Sequence, residues 1–332
     1  RTSAPLRAAR LGGSVGSGGS GSRRLAVAMA MTQRTAPGVA AFALMVLLCA
    51  TWGFQQVTIK IASEGISPVL QAGLRSAIAL LLLLGWARWR RLPLGEADGT
   101  LRCGLLAGLL FALEFVFIYL GLTYTTASRM IVVLYTAPCF TVLGLHLFVA
   151  GERMRWRHFL GVALAFAGIV LAFAGRSGSR PDAWIGDLLG LLAALGWAAT
   201  TVLIRATSLA TISATKVLFY QLAVSALVML PLSPLLGESG FGNLSVPVLL
   251  ALAYQGVIVA FASYLAWFWL LTRYLTARLS VFSFLTPLFG IAFGVLLLGD
   301  RLTPGFVAAA VCVSTGIVLV NLPGQPHRDG AG

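Results

Sequence analysis

Two ionisable side chains stand deep inside apolar runs of this chain, and their chemistry is the first thing to explain. Glu114 lies in Phe111-Ala-Leu-Glu-Phe-Val-Phe-Ile-Tyr119 and Arg75 lies in the apolar run before it. An ionisable group in the middle of a lipid-embedded helix costs about 2.5–3.5 kcal/mol on insertion scales, so each needs a reason to be there. A buried carboxylate can bind an ammonium group or exchange a proton, and a guanidinium beside it would bias which form it takes. The same two residues also suit an architectural ion pair that locks two helices together. Around them, Trp52, Gln56 and Lys60 recur at i, i+4 and i+8 and form one helical stripe, as Gln71 and Arg75 do at i, i+4. These stripes offer donors for a carboxylate or a carbonyl. Packing for Trp52 and an interfacial position for Lys60 account for them as well. Later in the chain, Tyr220, Gln221, Tyr254, Gln255, Tyr264, Trp267 and Trp269 supply aromatic and amide groups that suit a pocket for a small amphipathic ligand, while lipid-facing or packing roles account for about half of them; Tyr264 and Trp267 are the strongest candidates.

The elements that must position these residues follow from composition. Hydrophobic residues make up 58% of the 332 residues and charged residues only 10%, with a mean hydropathy of +0.91. That is too little charge to cover a water-soluble surface. Ten runs are long enough for a hydrocarbon core about 30 Å thick. They lie at 38–61, 67–86, 101–122, 127–149, 158–174, 185–206, 215–236, 246–271, 278–298 and 304–321. Backbone groups in lipid must be satisfied within the segment, and the runs lack the alternation of a barrel strand, so they are helices. At about 1.5 Å per residue, Arg75 and Glu114 then sit about 10–12 Å below the same surface.

The chain also repeats itself. Gly151-Glu152-Arg153 and Gly168-Ile-Val-Leu171 return as Gly299-Asp300-Arg301 and Gly316-Ile-Val-Leu319. Phe111-Ala112 and Thr126-Ala127 return as Phe261-Ala262 and Thr276-Ala277, and Trp52…Lys60 as Trp197…Arg205. A repeat holding five spans inserts its second copy upside down, the signature of alternating-access carriers. In this register Glu114 is replaced by Tyr264, a neutral hydrogen-bonding residue. The expected fold is an all-α polytopic membrane protein of ten transmembrane helices arranged as two inverted five-helix repeats, at 38–174 and 184–321.

The net charge of +14 is not spread evenly. With loops assigned alternately, the side holding both termini carries 18 of the 24 Lys and Arg residues. This bias places both termini in the cytoplasm and argues against nucleic acid as the partner. Cys49, Cys103, Cys139 and Cys312 have no paired spacing and the three histidines are scattered, so neither a disulfide framework nor a metal or cofactor site is expected. Residues 1–37 are Gly-, Ser- and Arg-rich and cannot form a core. They read as a disordered leader, an over-extended gene start with translation from near Met31, or a transit peptide. Residues 322–332 read as a polar cytoplasmic tail.

Taken together, Thr51-Trp52-Gly53 to Lys60, Pro68 with Arg75, Pro138 and Pro287 within their spans, and the Gly-acid-Arg turns at 151 and 299 resemble the EamA family of the drug/metabolite transporter superfamily. The resemblance covers nearly all of 38–321. It implies a multi-pass inner-membrane transporter that exports, or less often imports, small metabolites such as amino-acid-like, amine or drug-like solutes. Glu114 then becomes the candidate for proton coupling. Trp52, Gln56, Lys60, Gln71, Arg75, Glu114, Tyr264 and Trp267 become the candidate substrate contacts. Its partners are a small solute and membrane lipid, and two fused halves let it work as a monomer. The alternative class is an integral-membrane enzyme acting on a lipid or small amphipathic substrate, for which no cluster of nucleophiles or metal ligands is present.

Overall fold

A computed structural model describes residues 39–149, 154–174, 181–273 and 285–321. The leader, the tail, the Gly151-Glu152-Arg153 turn and Thr276-Ala277 lie outside the described residues. Among the described residues ten main helical elements follow one another: α1 (Val39–Ala62), α2 (Pro68–Trp89), α3 (Leu101–Tyr124), α4 (Ala127–Phe148), α5 (Trp156–Ala174), α6 (Ala183–Ala206), α7 (Ala214–Leu235), α8 (Val246–Arg273), α9 (Leu285–Leu298) and α10 (Pro304–Asn321). Seven of these are long and apolar enough to cross a bilayer, and α5, α9 and α10 contribute shorter apolar helices. Their outer faces are hydrocarbon, with Leu81, Leu227 and Leu296 largely exposed, while Gln71, Arg75 and Asp187 are fully buried. That is the reverse of a water-soluble protein and suits lipid as the solvent.

The inversion of the two halves can be read from the packing. Helices α5 and α10 are repeat mates and cross each other. A methyl group added at Gly168 would meet Ala309 O at 2.9 Å and Val313 Cγ2 at 2.7 Å, and one added at Gly316 would meet Gly161 O at 2.6 Å and Ala165 N at 3.0 Å. All three residue pairs, Gly161 with Ala309, Ala165 with Val313 and Gly168 with Gly316, are related by the repeat. Each contact is therefore returned by its mate, as a two-fold axis requires, and the two helices run antiparallel. The mates α2 and α7 behave likewise. Ser67 at the start of α2 bonds Gly240 beyond the end of α7, Gly73 approaches Leu230, and Leu83 packs with Leu218 and Leu222 near the start of α7. The remaining packing is reciprocal as well. α1 lies on α9 as α6 lies on α4, α3 on α6 as α8 on α1, and α3 on α7 as α8 on α2.

Two helices depart from regular winding. In α4 the helix stops at Leu134, turns through Tyr135 and Thr136, and restarts at Ala137 with Pro138 in its first turn. Proline at 138 lacks the amide that would bond Leu134 and crowds its carbonyl, so the break falls where the ring demands it. In the second half, Pro287 falls in the first described turn of α9. α8 winds as a regular α-helix over Val246–Ala253, widens to a π-helix over Tyr254–Ser263 and then continues as α-helix over Tyr264–Arg273. Its mate in the first half, within α3, is regular throughout.

The turn after α9 has the geometry expected of its glycine and a different use for its acid. Gly299 adopts φ +68°, the left-handed conformation that ends a helix. Thr303 Oγ accepts from Phe306 N at 3.2 Å and caps α10, with Pro304 in the first position. The Asp300 carboxylate reaches away from the helix that follows it: it accepts the Ser128 amide at 2.9 Å and caps α4. Gly294 leaves room for it: an added methyl there would fall 2.3 Å from Ser128 Oγ and 2.6 Å from Asp300 Oδ2.

Candidate functional site

The predicted residues fall into two neighbouring groups where α1, α2, α3 and α8 meet. In the first, Trp52 donates its indole N–H to Ser263 Oγ at 2.9 Å and meets Trp267 edge-on at 5.9 Å between centroids. Trp52 and Trp267 therefore join α1 to α8 at the end of the π-helical segment. In the second, Gln71 donates to Ile59 O at 3.2 Å and to Gln255 Oε1 at 3.3 Å, and accepts from Ser63 Oγ at 3.2 Å. Tyr119 of α3 adds a hydrogen bond to the same Gln255 oxygen at 2.6 Å. Gln56 lies on the face of α1 between these contacts, buried, with its Oε1 unbonded among the described residues. Lys60, by contrast, sits in the last turn of α1, half-buried, where a cation complements the helix dipole.

Arg75 and Glu114 are both buried, and they do not form the direct ion pair that their similar depth suggested. Arg75 is fully enclosed, its guanidinium carbon 3.7 Å from the centre of the Phe115 ring. None of its three nitrogens completes a well-aligned hydrogen bond among the described residues, although the Tyr119 hydroxyl lies within interacting distance of the guanidinium. Glu114, Tyr119 and Tyr264 all lie within its electrostatic reach. The repeat mates Glu114 and Tyr264 thus converge on one cation. On the far side of Glu114, α6 passes closely: a methyl at Gly196 would sit 3.4 Å from Glu114 Cβ. Arg75 and Glu114 fail to pair because each leans on apolar neighbours, the ring of Phe115 and the glycine notch of α6.

Several contributors were not singled out from the sequence. Tyr135, in the break of α4, stands edge-on to Trp197 at 5.4 Å, lies beside Thr286 and is within electrostatic reach of Cys49 and Glu114. Its one signal is Pro138, three residues later: a proline inside a span interrupts the helix but does not say which side chain the break turns inward. Phe115 and Tyr119 sit one and five residues after Glu114 and read as ordinary apolar helix. A second buried charge pair, Arg129 with Asp187, was missed because both lie near span ends, where charges are usually solvated. Arg129 binds both carboxylate oxygens, Nε at 3.2 Å and Nη2 more closely, and Thr125 Oγ1 donates to the same group at 3.2 Å. Some of the candidate aromatic residues have packing roles instead. Tyr220 covers Gly104 and its hydroxyl lies 3.3 Å from Thr100 Oγ1, while Tyr254 donates to Thr51 O at 3.1 Å.

An inverted ten-helix bundle with buried, unsaturated polar groups near its centre invites comparison with known proteins. The model of the EamA-like transporter family matches twice, over residues 39–174 and 184–322. The chain belongs to the EamA-like transporter family. It is a multi-pass membrane transporter of a small molecule and not an enzyme, which sets aside the alternative of a lipid-acting catalyst. Among its relatives is a probable amino-acid metabolite efflux pump of Escherichia coli, 25% identical over 83% of this chain and 93% of that protein. Another protein of that description, from Salmonella typhimurium, is 27% identical over 83% and 93%. An uncharacterised inner membrane transporter of Escherichia coli is 26% identical over 85% of this chain and 90% of its own length. A solved crystal structure aligns with a TM-score of 0.60 at 20% identity, covering 83% of this chain and 94% of the other, and so shares the fold.

Proposed function

We propose that this EamA-like transporter exports small amino-acid-type metabolites by alternating access, with Glu114 exchanging the coupling proton. The observation that carries this reading is the unsaturated polar centre: Arg75 and Glu114 are buried near each other, unpaired, at the crossing of inverted repeats. A static scaffold gains nothing from burying opposite charges and leaving them unjoined. A site that must bind a solute and release it on the other side of the membrane needs polar groups left available for it. The efflux descriptions carried by the two relatives support the direction and the cargo class. Rocking of the two halves about the α5/α10 and α2/α7 crossings would present the site to each side in turn.

The test is flux in proteoliposomes loaded with labelled amino acids and their metabolites, with and without a pH gradient. Wild-type protein moves solute and the gradient accelerates it. Glu114→Gln keeps the size of the side chain and removes its exchangeable proton, so gradient dependence disappears. Normal flux in that variant with gradient dependence intact sinks the coupling role. The inner membrane is the proposed location, with both ends of the chain on the cytoplasmic side, as the charge bias argues. A fluorescent protein fused after residue 332 should glow in cells, and a dark, exported fusion contradicts that orientation.

A further inference from the structure

We propose that Arg75 is a carboxylate receptor, so that the site selects solutes carrying a carboxylate beside a hydrogen-bond donor, the free α-amino acid being the smallest example. The inference rests on the transport reading and deepens it by assigning the group that each side chain recognises.

The Arg75 side chain is enclosed, yet Nε, Nη1 and Nη2 complete no well-aligned hydrogen bond among the described residues, with the Tyr119 hydroxyl within interacting distance of the guanidinium. Phe115 covers one face: at 3.7 Å from the ring centre only a stacked guanidinium fits, because an N–H aimed at the ring would collide with it. Stacking uses the face of the guanidinium and leaves its edge, the in-plane fork of N–H groups whose spacing matches the two oxygens of a carboxylate. Glu114 is close enough to be felt and is not the acceptor. The cation and the anion therefore stand apart, a disposition complementary to a solute that carries both charges.

The neighbouring amides are oriented by a chain of contacts that fixes which atom of each is left over. Ile59 O can only accept, so the Gln71 atom beside it is Nε2. That nitrogen also faces Gln255, whose near atom must then be Oε1, and Tyr119 donates to the same oxygen. Gln255 Nε2 is consequently a spare donor, buried and unbonded. On α1, Gln56 Oε1 is a buried acceptor with no bond among the described residues. A carboxylate at Arg75 can take the Gln255 donor, and the ammonium of the same solute can give to Gln56 or Glu114. Each orphaned group then has a counterpart in one small zwitterion, and burial without such a counterpart is costly.

The experiment compares the twenty proteinogenic L-amino acids, each with its α-amide, on the purified full-length protein, by thermal stabilisation and by flux. At least one acid should stabilise wild type, with its amide bound about tenfold more weakly or worse. Arg75→Gln should bind that acid as weakly as the amide. Ligand-free Arg75→Gln should also unfold at no lower temperature than wild type, since it removes a buried charge whose hydrogen bonds are incomplete; a structural arginine would predict the opposite. Arg75→Lys keeps the charge without the fork and should recover only part of the binding. Equal binding of acids and amides, undiminished acid binding by Arg75→Gln, or no stabilisation by any acid would each overturn the assignment. Amine or amide flux without acid preference would overturn it and leave the transport reading intact. Arg75-dependent acid binding without flux would do the reverse.

Discussion

Among the described residues this bundle buries two arginines, each with an acid nearby, and treats them in opposite ways. Arg129 and Asp187, 58 residues apart, join α4 to α6 with the carboxylate bonded at both oxygens and a third donor from Thr125. Arg75 and Glu114 share the same interior and do not touch. The first set lies in the part of α4 where every residue from Ala127 to Ala137 is buried, beside the Asp300 cap on Ser128. The second lies where α2, α3, α6 and α8 converge, among amide groups that also have spare bonding capacity. Saturation is the difference. A buried charge whose bonds are all made holds helices in place, and one whose bonds are open waits for something to bind.

The largest effect should come from breaking the saturated set. Arg129→Ala strands Asp187, whose side chain is wholly enclosed, and losing one partner of a buried pair costs about 3–5 kcal/mol. Thr125→Val removes only the third donor and should cost about 1 kcal/mol. Thermal unfolding of the detergent-solubilised variants checks both, and Arg129→Met with Asp187→Leu should recover part of the loss because neither charge is then left alone. Should Arg129→Ala unfold within a degree of wild type, the pair is not the clamp its geometry suggests. The comparison with Arg75→Gln is the sharper result: one arginine removed at a large cost in stability, the other at none.

Most of the architecture was legible in the sequence because it rests on long-range regularities. Apolar run length gave the helices, the echo of Gly151–Leu171 in Gly299–Leu319 gave the two halves, and an odd span count gave their inversion, which the returned contacts of Gly168 and Gly316 display. Pro138 marked the break in α4. The π-helical stretch of α8 was not legible, since Tyr254–Ser263 carries no proline or polar cluster; it reflects tertiary contacts of Gln255 and Ser263 with α2 and α1. Site residues were half legible. Arg75 and Glu114 announce themselves by charge in an apolar run, but whether they pair depends on Phe115 and Gly196, residues whose types signal only packing. Arg129 and Asp187 were hidden by position, because near a span end a charge in sequence looks the same whether water or a partner receives it.

The smallest effect concerns a third arrangement, on the face from which α1 starts. There the loop between α2 and α3 meets the start of α7: Lys216 Nζ donates to Asp98 Oδ2 at 2.8 Å and to Glu96 O at 2.7 Å. The related contact on the opposite face is made differently, with Glu238 accepting from the Val69 and Leu70 amides at the start of α2. The Asp98 carboxylate is held down to about 2 from its ordinary 3.8, first by the Lys216 hydrogen bond and then by Thr100. A carboxylate with a depressed value in the folded state stabilises above its unfolded value and loses that contribution as pH falls. Asp98→Asn should therefore lower the unfolding temperature slightly and by a constant amount from pH 7 to 5. The gap to wild type should close between about pH 4 and 2. The Asp98 side chain is 32% exposed, so solvent screens the pair and the shift should be far smaller than for Arg129→Ala. A difference that persists undiminished at pH 2 would mean that Asp98 acts through its shape rather than its charge. The ranking of the three contacts would then no longer follow how completely each charge is enclosed and bonded.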